Sequence, residues 1–189
     1  VAHMHQMTLF TPKISRGYAL KNFKNDLKTV MQQTGIEGEQ VVLLLEDHQF
    51  TEPTFLELIN SLLSAGEVPG LYSPEELEPL LAPLRDAASE ADFRGTLMQY
   101  FASRIQINLH IALVMDCGNT KFSLNCESNP ALFKQCAVQW MDGWSRESMV
   151  KVPHLLLTRP PKVEGASLSE KKTHKRKLSG GDDLLKGFL

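Results

Sequence analysis

The sequence predicts an α/β fold of the doubly wound kind, a parallel sheet with helices laid against it. Three observations carry that prediction. Gln40-Val41-Val42-Leu43-Leu44-Leu45 is a short apolar run ended abruptly by Glu46-Asp47-His48, which fits a fully buried parallel strand with both faces covered. A second run, His110-Ile111-Ala112-Leu113-Val114-Met115, ends at Asp116. Around these runs apolar residues recur at helical spacing, and strands alternating with helices imply right-handed crossovers between parallel strands.

Taken in order, Val1 to Met7 has no start signal and no cap, so it reads as the tail of a helix begun upstream, and the chain as a fragment. Thr8 to Thr11 suits a short strand before the turn at Pro12. Tyr18, Phe23, Leu27, Val30 and Met31 mark one face of a helix that stops at Gly35. After the buried strand, Pro53 opens a helix whose apolar face is Phe55, Leu56, Ile59, Leu62 and Leu63, ending near Gly66. Ser73-Pro74-Glu75-Glu76 carries an N-cap serine, a proline at the first helical position and a glutamate at the third; this is a capping box. Pro79 and Pro83 keep that helix short or kinked. Leu97, Tyr100, Phe101, Ile105 and Ile107 predict a third helix leading into the second strand. A short helix at Pro130 to Lys134, a strand at Ala137 to Met141 and a helix from Ser145 to about Lys151 complete the pattern.

The chain has 189 residues, 42% of them hydrophobic, and a formal net charge of −2, enough for one substantial core. Its apolar runs are far too short to span a bilayer, and no secretory leader opens it, so a cytoplasmic address without membrane partners is expected. Cys117, Cys126 and Cys136 have neither CxxC spacing nor an even count, which argues against a zinc knuckle or a disulfide framework. His3, His5 and His48 match no common metal-site spacing. Trp140 and Trp144 read as packing anchors rather than base-stacking residues, and no nucleic acid is expected. Arg16 and Arg104 read as surface salt-bridge partners before phosphate contacts.

In an open α/β sheet the ligand lies beyond the carboxyl ends of the strands, where Glu46 and Asp47 would project. One acid there can hold Mg²⁺, and its neighbour can orient a water for attack on a phosphate, which is the logic of a Walker B element. The plain alternative is a buried strand whose solvated end happens to be acidic.

Leu43 to Asp47, the segment Phe55 to Leu71 with its Ser64-Ala65-Gly66-Glu67-Val68-Pro69 hinge, Asn108-Leu109-His110-Ile111, Asn129-Pro130-Ala131-Leu132-Phe133 and Trp140-Met141-Asp142-Gly143-Trp144-Ser145 carry a specific likeness. From Val1 to about Leu157 the chain resembles the fourth AAA+ module of dynein heavy chains. Glu-Asp in place of Asp-Glu, with Asn125 to Leu132, resembles most the dynein-2 class that serves retrograde intraflagellar transport. The resemblance implies a three-layer α/β/α AAA+ large subdomain with a parallel central sheet, lacking its P-loop strand and turn. It further implies an ATP-driven, minus-end-directed microtubule motor in the parent chain, acting in cytoplasm, cytoskeleton and cilium. The implied partners are neighbouring AAA+ modules, microtubules reached through the stalk, and intermediate and light intermediate chains.

Residue by residue, the resemblance makes this a degenerate module. No GxxxxGK[ST] stretch occurs in the chain, so the amides and lysine that cradle phosphates would lie before Val1. Glu46 stands at the metal-ligand position and Asp47 at the water-activating one, each with its charge kept and its length changed by one methylene. Misplacement on that scale costs about 10²-fold in rate. Asp116 falls at the sensor position, where an amide donates to a γ-phosphate and a carboxylate only accepts. Gln135 falls at the arginine-finger position, without the guanidinium worth on the order of 10³ in rate. ATP or ADP with Mg²⁺ is the implied cofactor of the intact module, held through Glu46, Asp47 and Asp116; the segment alone is expected to be catalytically inactive.

From Thr158 the composition shifts: eight Lys and Arg stand against four acids, so the tail carries +4 against −6 in the rest. Residues 158–181, with Lys171-Lys172-Thr173-His174-Lys175-Arg176-Lys177, read as a basic polar linker, and residues 182–189 as the start of a helical lid.

Overall fold

The computed structural model describes residues 1–141 and 143–158, in two compact units that divide between Gln139 and Trp140. The first unit holds a three-stranded sheet in the order β1 (Thr8–Phe10), β2 (Val41–Glu46), β3 (Leu109–Val114). Both pairings are parallel, with Thr8 opposite Val41, Val41 opposite Leu109 and Glu46 opposite Val114. Strand order in space follows strand order in sequence, so each crossover moves one strand along. The first crossover is α1 (Leu20–Gln32) with a π-helical turn at Gln33–Glu37; the second runs through α2 (Pro53–Ala65), α3 (Pro74–Leu81), α4 (Leu84–Glu90) and α5 (Leu97–Asn108).

The core forms where one face of β2 meets the helices. Val41, Leu43 and Leu45 are fully buried, while Val42, Leu44 and Glu46 are half-buried. Burial therefore alternates along the strand, although its apolar run is continuous. Against the buried face lie Phe23, Leu27, Val30 and Met31 of α1, spaced so that they share one side of the helix. Phe55 and Ile59 of α2 and Phe101 and Ile105 of α5 complete the cluster. Phe23 and Phe55 stack with centroids 4.4 Å apart and planes 5° from parallel. Ile107 is 68% exposed, because two residues on from Ile105 a helix has turned by about 200°.

The helix ends follow their local chemistry. Pro53 occupies the first turn of α2, and Gly66 ends it at φ 71°, a left-handed conformation that glycine adopts without strain. The capping box of α3 is formed: the Ser73 amide donates to Glu76 Oε2 at 2.9 Å, and the Glu76 amide donates to Ser73 Oγ at 3.3 Å. Thr96 and Gln99 build the same device at the start of α5. The carbonyls that α1 and its π-helical turn leave over are taken by α5. Arg104 Nε donates to Gly35 O at 2.6 Å and its Nη2 to Ile36 O at 3.2 Å, and Asn108 Nδ2 donates to Thr34 O at 2.9 Å. A guanidinium placed on helix C-terminal carbonyls also complements the helix dipole. Arg104 is thus a capping residue, and the salt-bridge role expected of it is corrected.

Other expectations change as well. Past the strand end, Asp47 opens a 3₁₀ turn, Asp47–Gln49. Pro79 lies within α3 and Pro83 stands at the N-cap of α4, so the predicted helix is short and a second one follows it, and α6 (Phe122–Ser128) precedes the expected short helix, α7 (Ala131–Lys134). Ala137 to Met141 forms no strand. Val138 and Met141 are 46% and 87% exposed; β-propensity makes a strand only where a neighbour offers a ladder, and the ladders among the described residues join β1, β2 and β3 alone. In the second unit, α8 (Arg146–Thr158) continues past the expected stop and carries Pro153 within it. Trp140 and Trp144 are 69% and 59% exposed, which corrects their reading as packing anchors. The predicted basic linker from 159 and the lid start at 182–189 lie outside the described residues. Among the described residues no helix is long and apolar enough to cross a membrane.

Two predictions follow from this packing. A Cβ at Gly35 would lie 2.2 Å from Cε2 of Phe101, which is fully buried and has nowhere to move. Gly35→Ala should therefore destabilise the α1–α5 contact by about 1–3 kcal/mol, read as faster amide exchange in both helices of the intact heavy chain. Lys28 Nζ lies 2.8 Å from Glu76 Oε1 and ties α1 to α3. The Lys28 hydrogen bond, then the Ser73 amide, hold the Glu76 carboxyl below its ordinary value of 4.5. A depressed carboxyl stabilises the fold above its unfolded-state value and loses that contribution as pH falls through the folded one. Amide exchange in α3, corrected for its intrinsic pH dependence, should rise below about pH 4.5, and Glu76→Gln should abolish the pH step.

Candidate functional site at the carboxyl end of the central strand

Burying Val41, Leu43 and Leu45 fixes the register of β2, and register alone determines where Glu46 and Asp47 emerge. Glu46 is the last strand residue; its backbone N–H donates to Gln49 Oε1 at 2.8 Å. Gln49 is buried, and its Nε2 donates to the Pro12 carbonyl at 2.8 Å. One side chain therefore closes the turn after β2 and ties it to the chain leaving β1. His48 Nδ1 lies 3.3 Å from Glu46 Oε2, with the two side chains 69% and 46% exposed. That contact is an ion pair only when the imidazole is protonated, and at such exposure it contributes little.

Asp47 has a different partner. Its Oδ2 accepts from Asn119 Nδ2 at 2.8 Å, across 72 residues of sequence. Asn119 stands in the loop between β3 and α6, shaped by Asp116: the Gly118 amide donates to Asp116 Oδ1 at 2.9 Å, and the Asn119 amide donates to the Asp116 carbonyl at 3.1 Å. Such an Asx turn is ordinary chemistry for Asp before glycine. The other end of the Asn119 carboxamide is also used, since the Lys121 amide donates to its Oδ1 at 3.0 Å. Next along, the Phe122 amide donates to the Asn119 carbonyl at 2.9 Å and starts α6.

Of the sequence-predicted residues, Glu46 and Asp47 are adjacent at the strand end, and Asp116 shapes the loop that reaches Asp47 without touching it by any hydrogen bond. Gln135 is exposed at the end of α7, where its amide donates to the Ala131 carbonyl at 2.9 Å. No hydrogen bond or ion pair among the described residues joins it to the acids. Sequence reasoning missed Asn119 and Gln49. The signal for Asn119 was the turn-forming Asp116-Cys117-Gly118-Asn119 stretch after a strand; a buried Gln49 had none.

A cleft of about 510 Å³ lies between the end of β1 and α1, lined by Phe10, Pro12, Lys13, Tyr18, Asn22 and Asp26 among others, with neither Glu46 nor Asp47 in its wall. Tyr18 OH donates to Asp26 Oδ2 at 2.5 Å, and burial first, then this carboxylate, push the phenol well above its ordinary range. Cys117 is exposed, whereas Cys126 and Cys136 are partly buried with thiols pushed up by that burial. Among the described residues no three His, Cys, Asp or Glu side chains gather closely enough to hold a metal by themselves. Glu46 and Asp47 are hard oxygen donors of the kind Mg²⁺ takes, one or two at a time, when phosphates and water complete its shell. The donor set fits that ion in its nucleotide-bound form.

Parallel strands joined by helical crossovers, with acids at the carboxyl end of the central strand, make an α/β domain whose candidate site lies at the strand ends. The chain belongs to the family of the P-loop containing dynein motor region D4, whose model matches residues 1–179. It is 64% identical over 192 residues to cytoplasmic dynein 2 heavy chain 1 of Tripneustes gratilla and 60% identical over 189 residues to that of Homo sapiens, each comparison covering 100% of this chain. The Chlamydomonas reinhardtii relative of the same description is 49% identical over 161 residues, or 84% of the chain. The chain spans 4% of the length of each of these relatives.

Gln49 offers a direct test of how the strand end is held. Gln49→Leu removes the partners of the Glu46 amide and the Pro12 carbonyl at a buried position, which should cost about 1–3 kcal/mol. Faster exchange of the Glu46 amide in the intact heavy chain, with α8 unaffected, is the expected result.

Proposed function

We propose that this module is part of the motor ring of a dynein-2-type heavy chain, where it is a degenerate nucleotide site with a regulatory and structural role rather than a main site of hydrolysis. The parent chain in this reading is an ATP-driven, minus-end-directed microtubule motor of retrograde intraflagellar transport. Its setting is cytoplasm, cytoskeleton and cilium. Neighbouring AAA+ modules are the immediate partners, and microtubules, intermediate chains and light intermediate chains are reached through the rest of the heavy chain. Kinship with the D4 region and with dynein 2 heavy chains supports this assignment.

The observation that carries the degenerate character is the Asp47–Asn119 hydrogen bond. An acid that orients an attacking water must present its carboxylate to the phosphate. Here a carboxylate one methylene short of glutamate has an oxygen engaged by the β3–α6 loop. When nucleotide is bound, Mg²⁺ would supply charge neutralisation of the phosphates, with Glu46 its protein ligand. Asp116, engaged with its own turn, shapes the loop. Gln135 is a neutral side chain at the position where the family places a guanidinium, which supports slow or absent turnover.

A second reading makes the module a nucleotide-free scaffold. Its support is that Glu46 and Asp47 already have partners within the chain, His48 and Asn119. Nucleotide retained at this module after purification of the heavy chain favours the first reading, and its absence the second.

The test uses the parent motor. Asp47→Asn should leave microtubule-stimulated turnover within about twofold of wild type, because loss of a working general base costs about 10²–10⁴-fold and a silent one costs little. A fall of that larger size, with the ring intact, would show that this module hydrolyses nucleotide as a principal site.

A further inference from the structure

Basic residues are unevenly spread along the chain. Residues 11–28 hold five Lys and Arg against one acid, whereas the rest of residues 1–157 holds seven against seventeen. The excess falls on the loop after β1 and the start of α1. Lys13, Arg16 and Lys21 are exposed and Lys24 is half-buried, and none of the four has an acid within ion-pair distance among the described residues. Lys28 is already taken by Glu76. The loop that carries Lys13 and Arg16 is held at both ends. The Pro12 carbonyl accepts from Gln49 Nε2 at 2.8 Å; Tyr18 donates its amide to the Ser15 carbonyl at 3.0 Å and its hydroxyl to Asp26 at 2.5 Å. These cations therefore stand on a fixed frame.

Beside them lies the cleft of about 510 Å³ between the end of β1 and α1. Phe10 and Pro12 give it an apolar part, while Asn22 and Asn25, one turn apart on α1, bring two carboxamides to its wall. Asn22 Oδ1 accepts from the Ala19 amide, which leaves Nδ2 to donate, and the Asn25 side chain has no hydrogen-bond partner among the described residues. We propose that this cleft and its basic rim bind an acidic peptide segment in extended conformation. Carboxylates at alternate positions of an extended chain lie on one side, about 7 Å apart. Lys21 and Lys24, one helical turn apart with Cβ atoms about 5–6 Å from one another, suit that repeat. The carboxamides suit main-chain groups, and the apolar part of the cleft suits an uncharged side chain between the acids. Asp26 decides among anionic partners. A carboxylate amid the cations repels a phosphodiester backbone or an anionic lipid surface, in which every unit is charged, whereas a peptide can set a neutral residue opposite it. Nor is there an exposed aromatic ring in the cleft wall for a base to stack on, since Phe10 and Tyr18 are half-buried. The site does not depend on nucleotide at the strand end.

Hydrogen exchange on the intact heavy chain tests this, with the end-blocked peptide Glu-Ala-Glu-Phe-Glu-Ala-Glu as probe. The peptide should slow exchange across residues 11–26 at low salt, and the effect should fade as salt rises. Combining Lys13→Gln, Arg16→Gln, Lys21→Gln and Lys24→Gln should raise the peptide concentration for half-protection about tenfold, since one exposed ion pair is worth about twofold in affinity. Unaltered exchange of β2 and α5 shows that the variant is folded; should it not fold, the exposed Lys21→Gln alone should still cost about twofold. Lys134→Gln with Lys151→Gln, which removes charge elsewhere, should change nothing. Three results overturn the assignment: no protection at 11–26, equal weakening in the Lys134 and Lys151 variant, or protection of 11–26 by a thymidine oligonucleotide or phosphatidylserine vesicles as strong as that by the peptide.

Discussion

Everything at the candidate site depends on β2 being paired on both edges and sealed on one face. All six of its residues pair with β3 and the first three also with β1, and the side chains of Val41, Leu43 and Leu45 share one core cluster with α1, α2 and α5. A slip of one residue would turn Val42, Leu44 and Glu46 into the core and expose the others. The cost of burying Glu46 without a cation is several kcal/mol, so the charge that makes the strand end chemically interesting also pins its register. Position of the site and stability of the core are one constraint.

Around that strand, polar side chains tie together segments far apart in sequence, three of them at the ends of elements. Arg104 closes the C-terminal end of the α1 segment from α5, Gln49 joins the turn after β2 to Pro12, and Asn119 joins Asp47 to the entrance of α6. Each satisfies backbone or carboxylate groups that a parallel sheet with long crossovers leaves unpaired at its ends. Net stabilisation per such bond is only about 1 kcal/mol. Their larger effect is to exclude alternative placements of loops that apolar packing alone would leave interchangeable.

Much of this fold was legible in the sequence because it rests on local signals. Ser73-Pro74-Glu75-Glu76 needs only its own backbone to form a cap, and Phe23, Leu27, Val30 and Met31 need only helical spacing to share a face. The strands at Val41 and Leu109 were found to within one residue by composition. What failed depended on partners distant in sequence. Ala137 to Met141 has the composition of a strand but no ladder among the described residues, and Arg104 looked like a surface charge because Gly35 is 69 residues away. The kinship and the acids Glu46 and Asp47 were readable as motif. Asn119 was not, because a short polar residue in a loop has no signature until the fold places a carboxylate opposite it.

The geometry of the acids bears on what such a site does well. Glu46 is 46% exposed and its neighbour His48 69%, so water competes for every charge at the strand end. Strong electrostatic catalysis needs dipoles fixed in a dry, low-dielectric cavity, and desolvation there is supplied only when something closes over the ligand. Coupling has weaker requirements. It needs two arrangements close in free energy and a side chain that bonds differently in each. A half-buried carboxylate held by a single amide meets that requirement, since one such hydrogen bond contributes only about 1 kcal/mol net and a ligand's differential affinity can outweigh it. In the reading proposed above, Asp47 is held by Asn119 at the mouth of the β3–α6 loop, and that bond rather than a dry cavity sets what its carboxylate meets.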